Sequence, residues 1–454
     1  MKSFLTGILL LTAVTAVAKS YKADSTQISR ITSHILLKGN CYEDLRVLCK
    51  TIGHRLSGSP EAEKAVAWGQ KALREAGADR VILQPVWVPK WVRGKEKLEL
   101  DLAGNGKFQT IKALSLGNAV GTDGKTISAP LIMVQTREEF DALPAAQVKD
   151  KIVFFNYPFR QELVNAFEAY GDAIWLRGYA PSAAAAKGAK AVIIRSLSTG
   201  LADAPHTGSL RYADTVRKIP AFAIGNSTAV QLAGALQQYK VSARLMSEAG
   251  MKDSVLSYNV IGELTGTEEG YIAVGGHLDS WDVGEGAHDD GAGCVQSIEV
   301  IRAFKALGIR PRHTIRAVLF MNEENGVRGG RAYADSARAK NEKHILAMES
   351  DAGGFVPRGI GLVMPEAQKE KVKSWKSLFA TLGILDFEQE EGGVDISYLG
   401  KDGVPLAGLL PDPQRYFEMH HSENDVFEIV NHRELKLGAA AMAALVWLVD
   451  TYGL

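Results

Sequence analysis

Cysteine is scarce: Cys41, Cys49 and Cys294 are the only three in 454 residues. That excludes a fold stapled by a disulfide framework. On a straight helix Cys41 and Cys49 would stand about 12 Å apart along the axis, too far for a bridge. They could pair only if the segment between them is not a straight helix, and unpaired thiols are the reading adopted. Cys294 falls where a helix should begin and reads as a small buried apolar group. Net charge is absent as well. Lys+Arg and Asp+Glu both total 52, which leaves no basic footprint for nucleic acid and no polybasic membrane signal. No low-complexity tract and no period of repeat-protein length is evident. Beyond the N-terminus no apolar run is long enough to span a bilayer; residues 439–449 have the length of a core helix.

The N-terminus itself reads as a targeting segment. Lys2 forms a short basic region, residues 4–17 are apolar, and Ala16-Val17-Ala18 is an A-x-A cleavage signal. Cleavage after Ala18 makes residues 1–18 a signal peptide and the mature protein exported, secreted or periplasmic, without stable membrane insertion. An uncleaved anchor is the alternative.

At 46% hydrophobic and 23% charged residues, the remainder has the balance of a globular protein long enough for two or three domains. Residues 25–80 read as largely helical, with Ser59-Pro60-Glu61 a capped helix start and Gly77 its left-handed end. Residues 81–92 alternate and are rich in β-branched side chains and Trp, which suggests a strand. From about 110 to 250 the texture changes to short strands (129–134, 151–156, 191–195, 219–224) among Ala-rich helices. This block holds none of the acid and imidazole clusters described next. Beyond about 255, apolar strands (271–276, 314–321, 345–348) alternate with helices near 291–306 and 327–338. Continuous apolar strands separated by helices argue for an α/β fold, with a mostly parallel mixed sheet sandwiched by helices.

Each strand of that last region is followed by residues that can carry chemistry. His277-Leu278-Asp279 and Asp289-Asp290-Gly291 follow the first, Asn322-Glu323-Glu324 the second, and Glu349-Ser350-Asp351 the third. A further group, His420-His421-Ser422-Glu423-Asn424-Asp425, lies near the C-terminus. In open α/β sheets sites form beyond the carboxyl ends of the strands, so these distant segments are expected to converge. Carboxylates and imidazoles are the donors that zinc accepts. Asp289 has two oxygens with which to bridge two ions. Asp279 is placed to accept the second ring N–H of His277 and fix its tautomer. Glu323, beside the candidate ligand Glu324, can serve as a separate general base. Taken singly the motifs are weak: Asp-Asp-Gly is usually a turn, and Asn-Glu-Glu-Asn a solvated helix start. The ordered set points to a metallohydrolase. His54 reads as a loop hydrogen-bonder, His288 as peripheral, and Tyr416 as a residue that could line the cleft.

HLDSWDVGEGAHDDGAG (277–293), NEENG (322–326), ESD (349–351) and HHSEND (420–425) together resemble the co-catalytic zinc exopeptidases of the bacterial leucyl aminopeptidase type. The resemblance covers nearly all of the mature chain, including IGHRLSGSPEAEKA and VPKWVRGKE in its N-terminal part. It implies a phosphorylase/hydrolase-like catalytic domain built from residues 19–110 and 251–454, with 111–250 similar to a protease-associated domain inserted between them. It further implies two zinc ions, one held by His277, Asp289 and Asp351 and the other by Asp289, Glu324 and His421. His420 stays open as the alternative to His421. A zinc-bridging water would attack the peptide carbonyl, with Glu323 as base and Asp279 in support, on unblocked dipeptides or short peptides. A cis bond between Asp289 and Asp290, and a homodimer, are also suggested by the resemblance. The alternatives are a glutaminyl cyclase-like acyltransferase with one zinc and a non-catalytic, receptor-like protein of the same fold. Retention of both His277 and Asp351 argues against the first; a complete donor set with its base argues against the second.

Overall fold

In the computed structural model, residues 22–454 are described; the expected signal segment lies outside them. Strand β1 (Arg80–Val92) opens the main sheet. The chain then passes through β2 (Glu96–Asp101), β3 (Gln109–Ile111), β4 (Ala113–Ser115), β5 (Ile127–Val134), β6 (Ile152–Phe155), β7 (Ala191–Arg195), β8 (Ala221–Ile224) and β9 (Ser242–Ser247). It returns with β10 (Gly250–Leu264), β11 (Tyr271–His277), β12 (Thr314–Phe320), β13 (His344–Glu349), β14 (Pro357–Val363) and β15 (Leu406–Pro411). The described residues form a seven-stranded sheet of order β1-β10-β12-β11-β13-β15-β14 and an eight-stranded sheet of order β3-β2-β9-β5-β6-β7-β8-β4.

The fold is α/β with mixed sheets. In the main sheet β12, β11, β13 and β15 run parallel at the centre, flanked by antiparallel β10 and β14. The central strands are mostly apolar because both faces are covered. Helices Pro60–Glu75, Ala292–Ala306 and His432–Tyr452 bury one face with Val274, Leu319 and Met348. Helix Arg328–Ala339 buries the other, with Ala273, Val318 and Ala347. The apolar C-terminal run lies in His432–Tyr452, which is long and apolar enough to cross a membrane but is packed into this core.

Helix Pro60–Glu75 starts as its sequence suggests: Ser59 caps it by accepting from the Ala62 N–H, and Gly77 follows at φ +90°. The stretch expected to be largely helical is interrupted by a loop at residues 53–59. Cys41, Cys49 and Cys294 are free and buried.

The chain crosses into the second sheet between Val92 and Glu96, earlier than the boundary at 111. β2 pairs with β9 along its length, so it belongs to the second sheet although it follows β1 almost directly. The return lies between Ser247 and Gly250, close to the expected boundary. The second unit has its own cores on both faces of its sheet, and one of them continues into Phe355, Tyr416, Phe417 and Met419 of the main unit. Phe159, Phe167 and Tyr170 pack their rings on Phe417, three residues before His420. The inserted unit therefore sits directly on one of the candidate ligand segments.

Candidate metal centre

Because β11, β12 and β13 are parallel, their carboxyl ends share one edge. His277 is the last residue of β11, Glu323 and Glu324 lie just beyond β12, and Asp351 lies just beyond β13. Asp289 comes from the loop that enters helix Ala292–Ala306. Gly293, in the first turn of that helix, lets it approach the segment just after β13, since a Cβ there would lie 1.8 Å from the Ser350 carbonyl oxygen. The peptide between Asp289 and Asp290 is cis.

Asp289 stands between two donor sets. Its Oδ1 is 3.1 Å from His277 Nε2, which is also 3.2 Å from Asp351 Oδ1. Its Oδ2 is 3.1 Å from His421 Nε2, which is in turn 3.1 Å from Glu324 Oε2. Asp289 Oδ2 and Glu324 Oε1 are buried without a hydrogen-bond partner. His420 reaches only Asp289, at 3.6 Å, and stacks on His421 with ring centroids 3.5 Å apart. The shorter contacts and the reach to Glu324 belong to His421.

The electrostatics are those of closely spaced, buried acids and imidazoles. Burial, then the Asp289 charge, pushes the Glu324 carboxyl up to about 7. Burial also drives Glu323 well above the ordinary carboxylate range, with Asp351 and Glu324 adding to it against the pull of His277. Against the cost of its own burial, Asp289 is held well below that range by the hydrogen bond to His277 and by the imidazole of His421 beside it. His277 is raised well above its ordinary value despite burial, because Asp351 and Asp289 favour its cation. Metal binding at these imidazoles and carboxylates would compete with their protons.

Glu323 differs from its neighbours. It is half-buried, and its carboxylate makes no hydrogen bond or ion pair among the described residues. Its main-chain N–H is anchored to Asp279 Oδ1 at 3.0 Å, and the N–H of Asn322 to the same oxygen at 2.7 Å. Here the structure departs from the sequence reading of Asp279. His277 Nδ1 meets the main-chain oxygen of Asp279 at 2.9 Å, while the carboxylate lies 4.0 Å away. The reason is local: the side chain turns toward the loop after β12, whose N–H groups have no strand partner. Asp279 therefore positions the Glu323 loop by its side chain and His277 by its backbone.

Three further residues support the site: Asp425, which closes the HHSEND motif four residues after His421, and two arginines. Asp425 accepts from the main-chain N–H groups of His288 and Asp289 at 2.7 and 3.1 Å, which anchors the bridging residue. Fully buried Arg55 donates to the carbonyls of Leu278, Glu285 and Gly286 at 2.5, 2.7 and 2.8 Å and closes the loop between His277 and Asp289. Arg177 of the inserted unit places Nη1 at 2.9 Å from His421 Nδ1. The GHRLSGS stretch could have pointed to Arg55; nothing local marks Arg177. His54 is exposed, and His288 is peripheral, its Nδ1 accepting from Gly354 N at 3.0 Å and its ring stacked on Phe355. Tyr416 is buried between Phe167 and His420.

The sequence profile of peptidase family M28 matches residues 259–446. Carboxypeptidase Q from Homo sapiens is 34% identical over 411 residues, covering 90% of this chain and 84% of that one. The chain belongs to peptidase family M28. Its membership makes it a peptidase and bears out the zinc exopeptidase family expected from the four motifs. Carboxypeptidase Q from Xenopus laevis is 35% identical over 95% of the chain. The crystal structure of a peptidase M28 precursor from Shewanella amazonensis superposes with a TM-score of 0.90 at 31% identity, covering 95% of this chain and 97% of that one. A zinc aminopeptidase from Bacillus subtilis, 22% identical, shares the fold with a TM-score of 0.64 over 90% of this chain and 94% of its own.

Proposed function

We propose that this M28 peptidase is an exported di-zinc exopeptidase that hydrolyses unblocked dipeptides or short peptides. The observation that carries the proposal is the pair of contacts made by Asp289, one oxygen toward His277 and the other toward His421. The orphaned oxygens of Asp289 and Glu324, and a donor set of carboxylates and imidazoles, fit zinc. His277, Asp289 and Asp351 would hold one ion; Asp289, Glu324 and His421 would hold the other. When bound, zinc supplies Lewis acidity toward the scissile carbonyl and lowers the pKa of water.

The remaining steps belong to side chains. Glu323, whose carboxylate has no competing partner, accepts the proton of the attacking water and delivers it to the leaving amine. Asp279 holds the main-chain N–H groups of Asn322 and Glu323, which fixes the backbone from which this carboxylate extends. The inserted unit is read as a protease-associated domain, the assembly as a homodimer, and residues 1–18 as a cleaved signal.

The test is elemental analysis together with hydrolysis of a free dipeptide panel, for wild type and Glu323→Gln. About two zincs per chain, with turnover lost in the variant and zinc retained, is the expected result. One zinc with cyclisation of N-terminal glutamine would replace the proposal with the cyclase reading; no bound metal and no turnover would leave a receptor.

A further inference from the structure

We infer that the inserted unit completes one of the two zinc positions. Its residues Ser198, Thr199 and Thr207 hold the segment that carries His421, so zinc at Glu324 and His421 and docking of this unit stabilise each other. The inference rests on the di-zinc reading above and gives the second unit a part in it.

The two donor sets are supported differently. His277 ends β11, its main-chain N–H donates to Asp290 Oδ2 at 3.0 Å, and its Nδ1 meets the main-chain oxygen of Asp279. Asp351 follows Ser350, whose N–H donates to the Gly275 carbonyl at 3.0 Å and extends the pairing of β11 with β13. Both ligands are thus held inside the main unit. His421 lies instead between β15 and helix His432–Tyr452, just after the short helix Tyr416–Met419. Hydrogen bonds within this segment are local, from His420 N to the Tyr416 carbonyl at 2.9 Å and from Ser422 N to the Met419 carbonyl at 3.0 Å. His421 itself has φ +61°, a conformation that a side-chain-bearing residue keeps only where its surroundings fix it.

Groups of the inserted unit do the fixing. Thr207 donates its main-chain N–H to the His421 carbonyl at 2.9 Å. Ser198 Oγ and the Thr199 N–H donate to the Phe417 carbonyl at 2.7 and 3.3 Å. Lys112 pairs with Glu423 on the far side of the ligand. The ring of Tyr170 stands edge-on to His420 at 5.1 Å. At Gly208 a Cβ would lie 1.4 Å from Arg177 Nη1 and 2.8 Å from His421 Nδ1, so the units meet there with no room for a side chain.

The inserted unit is also built to move as a body. The chain passes between the units at 92–96 and again at 247–250. The two passes are bonded to each other: Glu248 N donates to the Lys95 carbonyl at 2.9 Å, and Lys95 N to Glu248 Oε2 at 3.0 Å. A single paired neck, with Gly94 at φ +66°, is a pivot and not a brace. One core of the unit, from Leu98 to Leu245, is made entirely of its own residues. Zinc held by Glu324 and His421 would tie segment 416–425 to the end of β12, while the inserted unit holds the same segment from the other side. Whatever strengthens one attachment then strengthens the other. The position of His277 and Asp351 shares only Asp289 with this arrangement.

The experiment follows amide hydrogen exchange of Thr199 and Thr207 while zinc is titrated into the metal-free protein against a competing chelator. An opening that frees these amides also releases the Phe417 and His421 carbonyls, so zinc should slow their exchange about tenfold. Asp351→Ala leaves the position of Glu324 and His421, and Glu324→Ala leaves the other; zinc should restore protection in the first variant and not in the second. Ser198→Ala, which touches Phe417 and no ligand, should raise the zinc Kd about tenfold in the Asp351→Ala background and leave it unchanged in the Glu324→Ala background. Should those variants fail to fold, wild type carries the test, because protection should follow one of its two zinc equivalents and not the other. Exchange indifferent to zinc, protection that tracks both equivalents equally, or a Kd that Ser198→Ala moves alike at both positions overturns the inference while the di-zinc peptidase stands. A wild type that binds no zinc overturns both.

Discussion

Replacing Asp279 separates two roles that one residue could play at this centre. Its Oδ1 accepts from Asn322 N at 2.7 Å and Glu323 N at 3.0 Å, and the residue is fully buried. Asn322 also sits at φ +74°, a conformation the loop must be made to keep. Asp279→Ala leaves two main-chain donors without an acceptor, at about 1–3 kcal/mol each. The loop can recover part of that loss only by moving, and Glu323 moves with it. If about 3 kcal/mol of the penalty is felt in the transition state, kcat falls about 100-fold. Asp279→Asn keeps a carbonyl oxygen able to accept both N–H groups and should stay within about tenfold of wild type. Zinc content should be unchanged in both variants, because His277 is held by the main-chain oxygen of Asp279. Steady-state hydrolysis of a dipeptide and elemental analysis on the same samples decide the matter. Loss of zinc in Asp279→Ala would restore the carboxylate–histidine role read from the sequence; an unchanged kcat would refute the loop argument.

Other expectations concern stability. Burial, then the Arg316 charge, holds His344 at about 4. The unfolded chain takes up that proton near pH 6.5 and the folded protein does not, so this contribution is complete above 6.5 and is lost as pH falls toward 4. His344→Gln should flatten the acid limb of urea-derived stability by about 3 kcal/mol between pH 7.5 and 4; equal slopes would contradict it. Arg55→Lys cannot reach three carbonyls with one ammonium and should cost about 3 kcal/mol, with faster loss of zinc to a competing chelator. Removing metal should lower the melting temperature, since a ligand held at a thousand times its Kd adds about 4 kcal/mol. A melt unmoved by chelation would mean that no ion binds the folded state preferentially.

Much of the catalytic half was legible because its signals are local. Apolar runs at 271–276, 314–321 and 345–348 became β11, β12 and β13 with ends shifted by a residue or two, since strands covered on both faces show their burial directly in composition. The same order brings His277, Glu324 and Asp351 to one edge, because parallel strands point their carboxyl ends the same way. The boundary of the inserted unit was less legible. β1 and β2 are consecutive strands separated by a few residues, and only pairing partners far along the chain, β10 for one and β9 for the other, assign them to different sheets.

By itself, then, the sequence determined the donor types, their order, and the sheet edge on which they meet, since composition and local periodicity encode those properties. Tertiary structure decided which atoms do the holding. The Asp279 side chain turned from His277 to the loop of Glu323, and Arg55 closed the metal loop through carbonyl groups that carry no residue identity. Arg177 reached His421 across 244 residues of chain. Such contacts depend on the relative placement of packed units and on main-chain atoms common to every residue, so no local pattern announces them.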